Sequence, residues 1–278
     1  MSSFRDSIRD SNAGAYLLLF LSFLFFTLVG AFFLQMVGFH MTTIASEVFG
    51  ILGAAVLWHW VLGDAAAKWP SFRLGISPVA LLVVVVAAVS LGLLANTLAS
   101  LLVEVSPYMR GIAESYTKQL QDLVLDATGL ERVLGLIGVC VAAPLCEEAL
   151  FRGTILQEQR KREGFWLAAI VNGVAFSLFH LNPVSAPGLA LIGIFLAYVT
   201  IRSGSIWPAI VGHAAINTTS ALILPAIYPA AATAEVPLEI SAILALIATL
   251  GALSALLWWL TARLIPQASP ADSRSAGD

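Results

Sequence analysis

The chain has 278 residues, of which 59% are hydrophobic and 11% are charged, and its formal net charge is −3. Its mean hydropathy of +0.90 is far above that of a water-soluble protein. This composition excludes a soluble globular enzyme, and we expect no nucleic-acid partner. The sequence predicts an all-α, polytopic integral membrane protein.

Apolar segments long enough to cross a bilayer recur along the whole chain. A span needs about 20 apolar residues to cross a hydrocarbon core of roughly 30 Å. By this measure we expect about eight transmembrane helices with a buried polar cavity. The predicted spans are Ala13 to Gly38, Ile44 to Gly63, Ser77 to Leu102, Val133 to Leu156, Phe165 to Leu181, Ala186 to Arg202, Ser205 to Leu222, and Ile240 to Leu264.

The basic residues predict the orientation of the chain. With both termini in the cytoplasm, ten lysines and arginines fall on the cytoplasmic side and three fall outside, as the positive-inside rule favours. We therefore expect cytoplasmic termini. Residues 1–266 are predicted to form one integral membrane domain with a motif-bearing core at 133–222. Residues 267–278 are small and polar, which predicts a disordered cytoplasmic tail.

The longest connection, residues 103–132, has a helical pattern. Met109, Ile112, Tyr116 and Leu120 fall on roughly one side of a helix. We expect an amphipathic helix that lies along the membrane interface. It is either a plain linker or a lid over a substrate path, and the pattern leaves both open.

Two adjacent acids, Glu147 and Glu148, lie in the apolar segment VLGLIGVCVAAPLCEEALFRGTIL. A carboxylate at membrane depth is costly unless it is paired or lines a wet cavity. Glu148 precedes Arg152 by one helical turn, the order that favours an ion pair. Glu147 is turned by about 100° from Glu148, so we expect it to face a different neighbour and to act as a base. Glu47 is expected to be a helix amino-terminal acid favoured by the dipole.

A polar turn at Gln157 to Gly164 predicts a helical hairpin around it. Glu147 and His180 lie at nearly equal distances from the end of that turn along the chain, so antiparallel helices would place them at the same level. Phe176, one turn before His180, is expected to pack against the facing helix. The hairpin thus predicts an acid and an imidazole on opposite walls of one cavity.

The segment WPAIVGHAAIN adds two further polar groups below the predicted membrane surface. His213 and Asn217 share a helix face at i, i+4 spacing, so both could donate hydrogen bonds to one point. Two such donors predict an oxyanion hole. By contrast, His40 and His59 lack an acidic neighbour at depth, and we expect them to be interfacial.

Together these motifs resemble those of the CAAX prenyl protease and bacteriocin-processing (CPBP, or abortive-infection) family. The resemblance covers about Val133 to Leu222. It is carried by Glu147-Glu148-Ala-Leu-Phe-Arg152, Phe176-Ser-Leu-Phe-His180 and His213-Ala-Ala-Ile-Asn217.

The resemblance implies an intramembrane endopeptidase in a bacterial-type cell membrane, with membrane lipid and a peptide or protein substrate as its partners. It implies that an acid and a histidine activate water while a second histidine and an amide hold the oxyanion. The implied catalytic residues are Glu147, His180, His213 and Asn217, and the implied supporting residues are Glu148, Arg152 and Phe176.

Three alternatives to this predicted enzyme are open from the sequence. Two histidines with a glutamate could hold zinc, but the sequence lacks a short H-E-x-x-H helix, so a metal-free glutamic mechanism without a cofactor is favoured. A noncatalytic scaffold or bacteriocin-immunity protein could instead use the same cavity for peptide binding. A secondary transporter is less favoured because the sequence shows no inverted repeat.

Overall fold

The computed structural model describes residues 13–63, 66–227 and 239–265. Within these ranges the chain forms helices and turns, with one isolated bridge between Ser71 and Ser205. The predicted all-α class is confirmed. The predicted tail at 267–278 lies outside the described residues.

Nine helices lie in the described ranges, and several contain π-helical segments. Their bounds are α1 Ala13–Val37; α2, in three continuous segments, Phe39–Ala45, π-helical Ser46–Leu52 and Gly53–Leu62; α3 Pro78–Val105; α4 Pro107–Leu120, continued by π-helical Gln121–Leu125; α5, in five segments, Gly129–Ile137, π-helical Gly138–Ala142, Ala143–Glu148, π-helical Ala149–Ile155 and Leu156–Arg160; α6 Phe165–Phe179; α7 Ala186–Ser203; α8 Trp207–Thr218, continued by π-helical Thr219–Ile223 and by Leu224–Ile227; and α9 Ile240–Leu264.

Seven helices in the described part of the chain are long and apolar enough to cross a membrane. They match seven of the predicted spans, so the multi-pass membrane architecture is confirmed. The exception is α6, which has 15 residues and a length of about 22 Å, less than a hydrocarbon core of roughly 30 Å. Because α6 ends at Phe179, His180 lies in the turn that follows a short helix.

Small residues allow α6 and α7 to pack closely. A Cβ atom on Gly173 would collide with the backbone of Ile194, and one on Gly193 would lie 2.8 Å from the Cα of Gly173. Glycine lets two helix backbones approach each other in a membrane, where van der Waals contact takes the place of the hydrophobic effect. The close crossing brings the carbonyl of Gly193 within reach of α5.

The predicted amphipathic helix at 103–132 is confirmed as α4. Ser106 begins it by accepting a hydrogen bond from the backbone N–H of Met109. Met109, Ile112, Tyr116 and Leu120 are all half-buried, and they share one side of the helix. The apolar stripe of α4 therefore rests on the body of the protein.

The predicted polar turn at Gln157 to Gly164 is shorter than expected. The last segment of α5 continues to Arg160, and Glu158 and Gln159 are buried within it. The reason is that Glu158 has partners inside the protein, including the backbone N–H of Ala67 at 2.7 Å. Half of the segment that looked like a solvated loop is thus helical, and two of its residues are buried.

Candidate active site

Both acids of the first motif lie between two π-helical segments of α5. The short α-helical segment Ala143–Glu148 ends on Glu148, and π-helical turns precede and follow it. π-Helical turns interrupt the regular i to i−4 hydrogen-bond ladder and occur frequently at functional sites. This irregularity frees backbone carbonyls and re-aims side chains where the acids lie.

A fully buried ion pair forms the centre of the site. The guanidinium of Arg152 donates from Nη1 to Glu148 Oε1 at 2.9 Å, and both side chains are 0% exposed. Arg152 Nη2 donates to the carbonyl of Gly193 at 2.9 Å, and the guanidinium carbon lies 4.6 Å from the centre of the Phe176 ring. The pair predicted from the i, i+4 spacing is present, and it joins α5 to α6 and α7.

His213 contacts the same carboxylate from α8. Its Nδ1 lies 2.8 Å from Glu148 Oε1. An ionised carboxylate can only accept, so Nδ1 carries the proton and donates it to Glu148. Glu148 therefore holds two partners from two different helices, Arg152 and His213, and it fixes the orientation of the imidazole.

Glu147 faces a different wall of the cavity, as expected from its position around the helix. It is 9% exposed, and its Oε2 lies 3.8 Å from Nε2 of His180. That oxygen is buried without a hydrogen-bond partner among the described residues. The sequence predicted that Glu147 and His180 lie at the same level of the helical hairpin, and the structure brings them together.

The tautomer of His180 follows from its second contact. Nδ1 lies 2.8 Å from the backbone carbonyl of Phe176. A carbonyl can only accept, so Nδ1 bears the hydrogen and, in the neutral ring, Nε2 presents a lone pair toward Glu147. The Phe176 ring packs edge-on against Phe151 at 5.1 Å between centroids, which places α6 against α5 as expected.

Asn217 has a protein partner that the sequence did not indicate. Its Nδ2 donates to the carbonyl of Val139 at 2.8 Å. Val139 lies in the π-helical segment Gly138–Ala142, where the interrupted ladder leaves carbonyls in need of donors. His213 and Asn217 share a helix face, but in this structure each contacts a different group of α5.

Sequence reasoning missed a third carboxylate near the site. Glu47 was expected at a helix amino terminus, which is wrong: α2 is continuous from Phe39 through it, and Glu47 is 7% exposed. The π-helical segment Ser46–Leu52 that carries it packs against the Ala143–Glu148 segment of α5. The signal was available, because an acid within a long apolar segment is the same anomaly that marked Glu147 and Glu148.

His59, expected at the interface, lies on α2 in a second polar cluster, which contacts α5 further toward its carboxyl end. Its Nε2 accepts a hydrogen bond from the indole of Trp69 and lies 3.4 Å from Thr154 Oγ1.

In the described part of the chain, no three His, Cys, Asp or Glu side chains lie close enough together to hold a metal ion.

Comparison with known proteins bears on the segment that carries these groups. Residues 129–219 match the family described as type II CAAX prenyl endopeptidase Rce1-like. Over this segment the chain is similar to the Rce1-like family. The Rce1-like segment contains every predicted site residue, and the family resemblance expected from the motifs is confirmed.

Part of the chain is also similar to a curated protein. An uncharacterized 24.3 kDa protein of Escherichia coli is 30% identical over 105 residues, which are 36% of this chain and 48% of that protein. The chain therefore spans about half the length of that relative. No solved structure matches the chain.

Proposed function

We propose that the chain is an intramembrane endopeptidase that hydrolyses a peptide bond in a membrane-associated or CAAX-like peptide. The observation that carries this proposal is the open pair formed by buried Glu147 and partly buried His180, whose Oε2 and Nε2 atoms lie 3.8 Å apart. The match of residues 129–219 to the Rce1-like family supports the reaction class.

Two hydrogen-bond acceptors face each other in this pair. The carboxylate of Glu147 accepts only, and the Nε2 lone pair of His180 accepts when Nδ1 donates to Phe176. Both acceptors are satisfied when a group with two hydrogen-bond donors lies between or beside Glu147 Oε2 and His180 Nε2. One water molecule supplies both O–H groups at ordinary hydrogen-bond lengths of about 2.8 Å, and its oxygen is then polarised for attack.

The reaction then follows in two steps that conserve every proton. The water oxygen bonds to the scissile carbonyl carbon while Glu147 takes one of its protons, which gives a tetrahedral oxyanion. Glu147 returns that proton to the amide nitrogen as the C–N bond breaks, so the products are a carboxylic acid and a free amine. A single carboxylate thus acts first as base and then as acid.

His213 and Asn217 are the proposed donors to the oxyanion. With Nδ1 of His213 donating to Glu148, donation from Nε2 requires a ring that is protonated on both nitrogens. Glu148 lies next to such a ring as its hydrogen-bond acceptor, and Arg152 forms an ion pair with the same carboxylate. Asn217 has a second amide hydrogen besides the one given to Val139.

We favour the metal-free form of this mechanism over a zinc-dependent one. Zinc sites need at least three protein ligands around one point, and the described residues include no such group. Membrane lipid and a peptide or protein substrate are the proposed partners. Both termini are proposed to be cytoplasmic, in a bacterial-type cell membrane.

The test is cleavage of a membrane-anchored peptide reporter library by the purified full-length protein in lipid vesicles. Glu147→Gln keeps the shape of the side chain and removes the base, so we expect turnover to fall by about 10²- to 10⁴-fold. Glu131→Gln, on an exposed face of α5, is the matched control and should cleave like the unaltered protein.

Chelator provides the second arm of the test. Cleavage that persists with chelator supports the glutamic form, and cleavage lost to chelator and restored by zinc supports the metal form. Undiminished cleavage by Glu147→Gln would overturn the assignment of the base. A reporter library bound but left intact would support the peptide-binding scaffold instead.

A further inference from the structure

The carbonyl that Asn217 contacts on α5 depends on a donor from outside its own helix. Asn217 Nδ2 donates to the carbonyl of Val139 at 2.8 Å. Within a helix, a carbonyl accepts from the N–H group four residues further on, or five residues further on in a π-helical turn. For Val139 these two positions are Ala143 and Pro144.

Neither of these positions donates to Val139. The N–H of Ala143 donates to the carbonyl of Gly138, five residues back. Pro144 has no N–H group to give. A backbone carbonyl inside a membrane-spanning helix needs a donor from the protein, and for Val139 the side chain of Asn217 supplies it.

Pro144 lies in the interior of α5, not at its end. It is buried, and the helix continues through it to Arg160. Proline inside a helix removes a hydrogen bond, and in membrane helices neighbouring side chains can satisfy the groups that it leaves free. The helix that does so here is α8, which packs against both the Gly138–Ala142 and the Ala143–Glu148 segments.

The carbonyl of Phe151, also on α5, shows the contrast. It accepts from the N–H of Leu156, five residues further on, and also from Nδ2 of buried Asn172 on α6 at 3.1 Å. Asn172 therefore shares its acceptor with a backbone donor. The bond from Asn217 is shorter, at 2.8 Å, as expected where no such donor competes.

We propose that Pro144 is a positioning residue that acts through Asn217. Because it withholds an N–H from Val139, that carbonyl is left for the amide of Asn217. The bond fixes the direction of the second amide hydrogen, which we assign to the oxyanion, and such a donor must be aligned before the reaction begins. The catalytic consequence rests on the proposed function, whereas the hydrogen-bond arrangement does not.

Nuclear magnetic resonance of the full-length protein, labelled with ¹⁵N-asparagine in lipid nanodiscs, tests the arrangement without an activity assay. The chain has five asparagines, so the side-chain amide of Asn217 is identified by the signal that Asn217→Ala removes. We expect one of its two protons to lie downfield and to be protected from exchange. Two protons typical of a free amide would overturn the proposal even if Pro144→Ala failed to fold.

Pro144→Ala restores an N–H group at this position. Val139 then gains a backbone donor, from position 144 in a π-helical pattern or from Ala143 in a regular one. The protected proton of Asn217 should move upfield and exchange faster. Pro78→Ala, at the exposed first position of α3 where no N–H is needed, is the control and should leave this proton unchanged. An Asn217 signal that Pro144→Ala does not alter would overturn the proposal.

Cleavage kinetics in vesicles provide the catalytic readout. We expect Pro144→Ala to lower kcat by about 10-fold through misalignment of the donor and to leave KM unchanged, because the oxyanion is bound only in the transition state. Thermal stability should be equal or higher, since proline is unfavourable inside a helix. A purely structural role would lower thermal stability and leave kcat per folded molecule unchanged, which would contradict the proposal.

A double-mutant cycle tests whether Pro144 acts through Asn217. In the Asn217→Ala background, Pro144→Ala should cause no further loss of kcat, because the group that it positions is already absent. Losses that multiply would show that Pro144 affects catalysis by another route, and they would overturn the proposal.

The two kinds of readout distinguish failure of this positioning role from failure of the proposed function. If Pro144→Ala alters the Asn217 amide but the unaltered protein cleaves no reporter, the proposed function fails and the link between Pro144 and Asn217 stands. If the unaltered protein cleaves the reporters while Pro144→Ala changes neither the amide signal nor kcat, the link fails and the proposed function stands.

Discussion

Glu147 and Glu158 lie on the same helix, α5, and each is 9% exposed, yet their surroundings are opposite. Glu158 accepts from the indole of Trp58 at 3.4 Å, from the backbone N–H of Ala67 at 2.7 Å and from Lys161 at 2.7 Å. Among the described residues, Glu147 has His180 alone as a polar partner, at 3.8 Å. A carboxylate whose acceptor sites are filled stabilises the fold, and an equally buried one that is left open is available for chemistry.

The difference matters more than the depth of either acid. Both carboxylates cost free energy to bury, but the bonds to Glu158 offset that cost and tie α5 to α2 and to the connection before α3. For Glu147, no hydrogen bond from the described residues to its Oε2 offsets that cost. This is the pattern expected where stability is given up to leave a group reactive.

The largest predicted effect concerns the ion pair that lies between these two acids. Arg152→Met should destabilise the protein by about 3–5 kcal/mol, because it leaves the charge of Glu148 buried without its main partner. Thermal unfolding in detergent measures this loss. Arg132→Met, at an exposed position of the same helix, is the control, and equal stability of the two variants would show that the pair contributes nothing.

A smaller effect is predicted for the saturated acid itself. Glu158→Leu removes the acceptor of three hydrogen bonds and should cost about 1–3 kcal/mol of stability, because the N–H of Ala67 and the indole of Trp58 lose their partner. Cleavage per folded molecule should stay near that of the unaltered protein. In thermal unfolding and in the vesicle assay, Glu158→Leu should lose stability and keep activity, whereas Glu147→Gln should lose activity and keep stability. Loss of the same property in both variants would contradict the contrast between the two acids.

The sequence predicted what depends on spacing along one helix or across one hairpin. The Glu148–Arg152 pair, the separate orientation of Glu147 and its level with His180 follow from the pitch of a helix and the length of a turn. The polar composition of residues 157–164 predicted a solvated turn that includes Glu158. This was wrong for Glu158, because its partner, the N–H of Ala67, is distant along the chain. The bond from Asn217 to Val139 depends on a π-helical turn that no residue preference encodes, and Glu47 reaches the site only through the packing of α2.

The smallest predicted effect concerns the support of His180 from outside the helical core. Leu181, directly after His180, has a φ of 49°, a conformation that costs a residue with a side chain about 1–2 kcal/mol. Its carbonyl accepts a hydrogen bond from Tyr116 Oη of α4 at 3.1 Å. That bond helps hold the turn that orients His180 toward the open carboxylate.

Tyr116→Phe removes this one bond and keeps the ring of the amphipathic stripe. A neutral hydrogen bond contributes about 1 kcal/mol to stability, so we expect the free energy of unfolding to fall by about that amount and cleavage to fall by about five-fold. Tyr108→Phe, on the exposed side of α4, is the control. A loss confined to kcat would indicate that His180 is misplaced during the reaction, and a loss confined to KM would indicate that α4 acts on substrate entry. Equal activity of Tyr116→Phe and Tyr108→Phe would mean that the bond from Tyr116 does not help to orient His180. The contact of His180 with the carbonyl of Phe176 would then be enough to hold the imbalance between Glu147 and Glu158 in place.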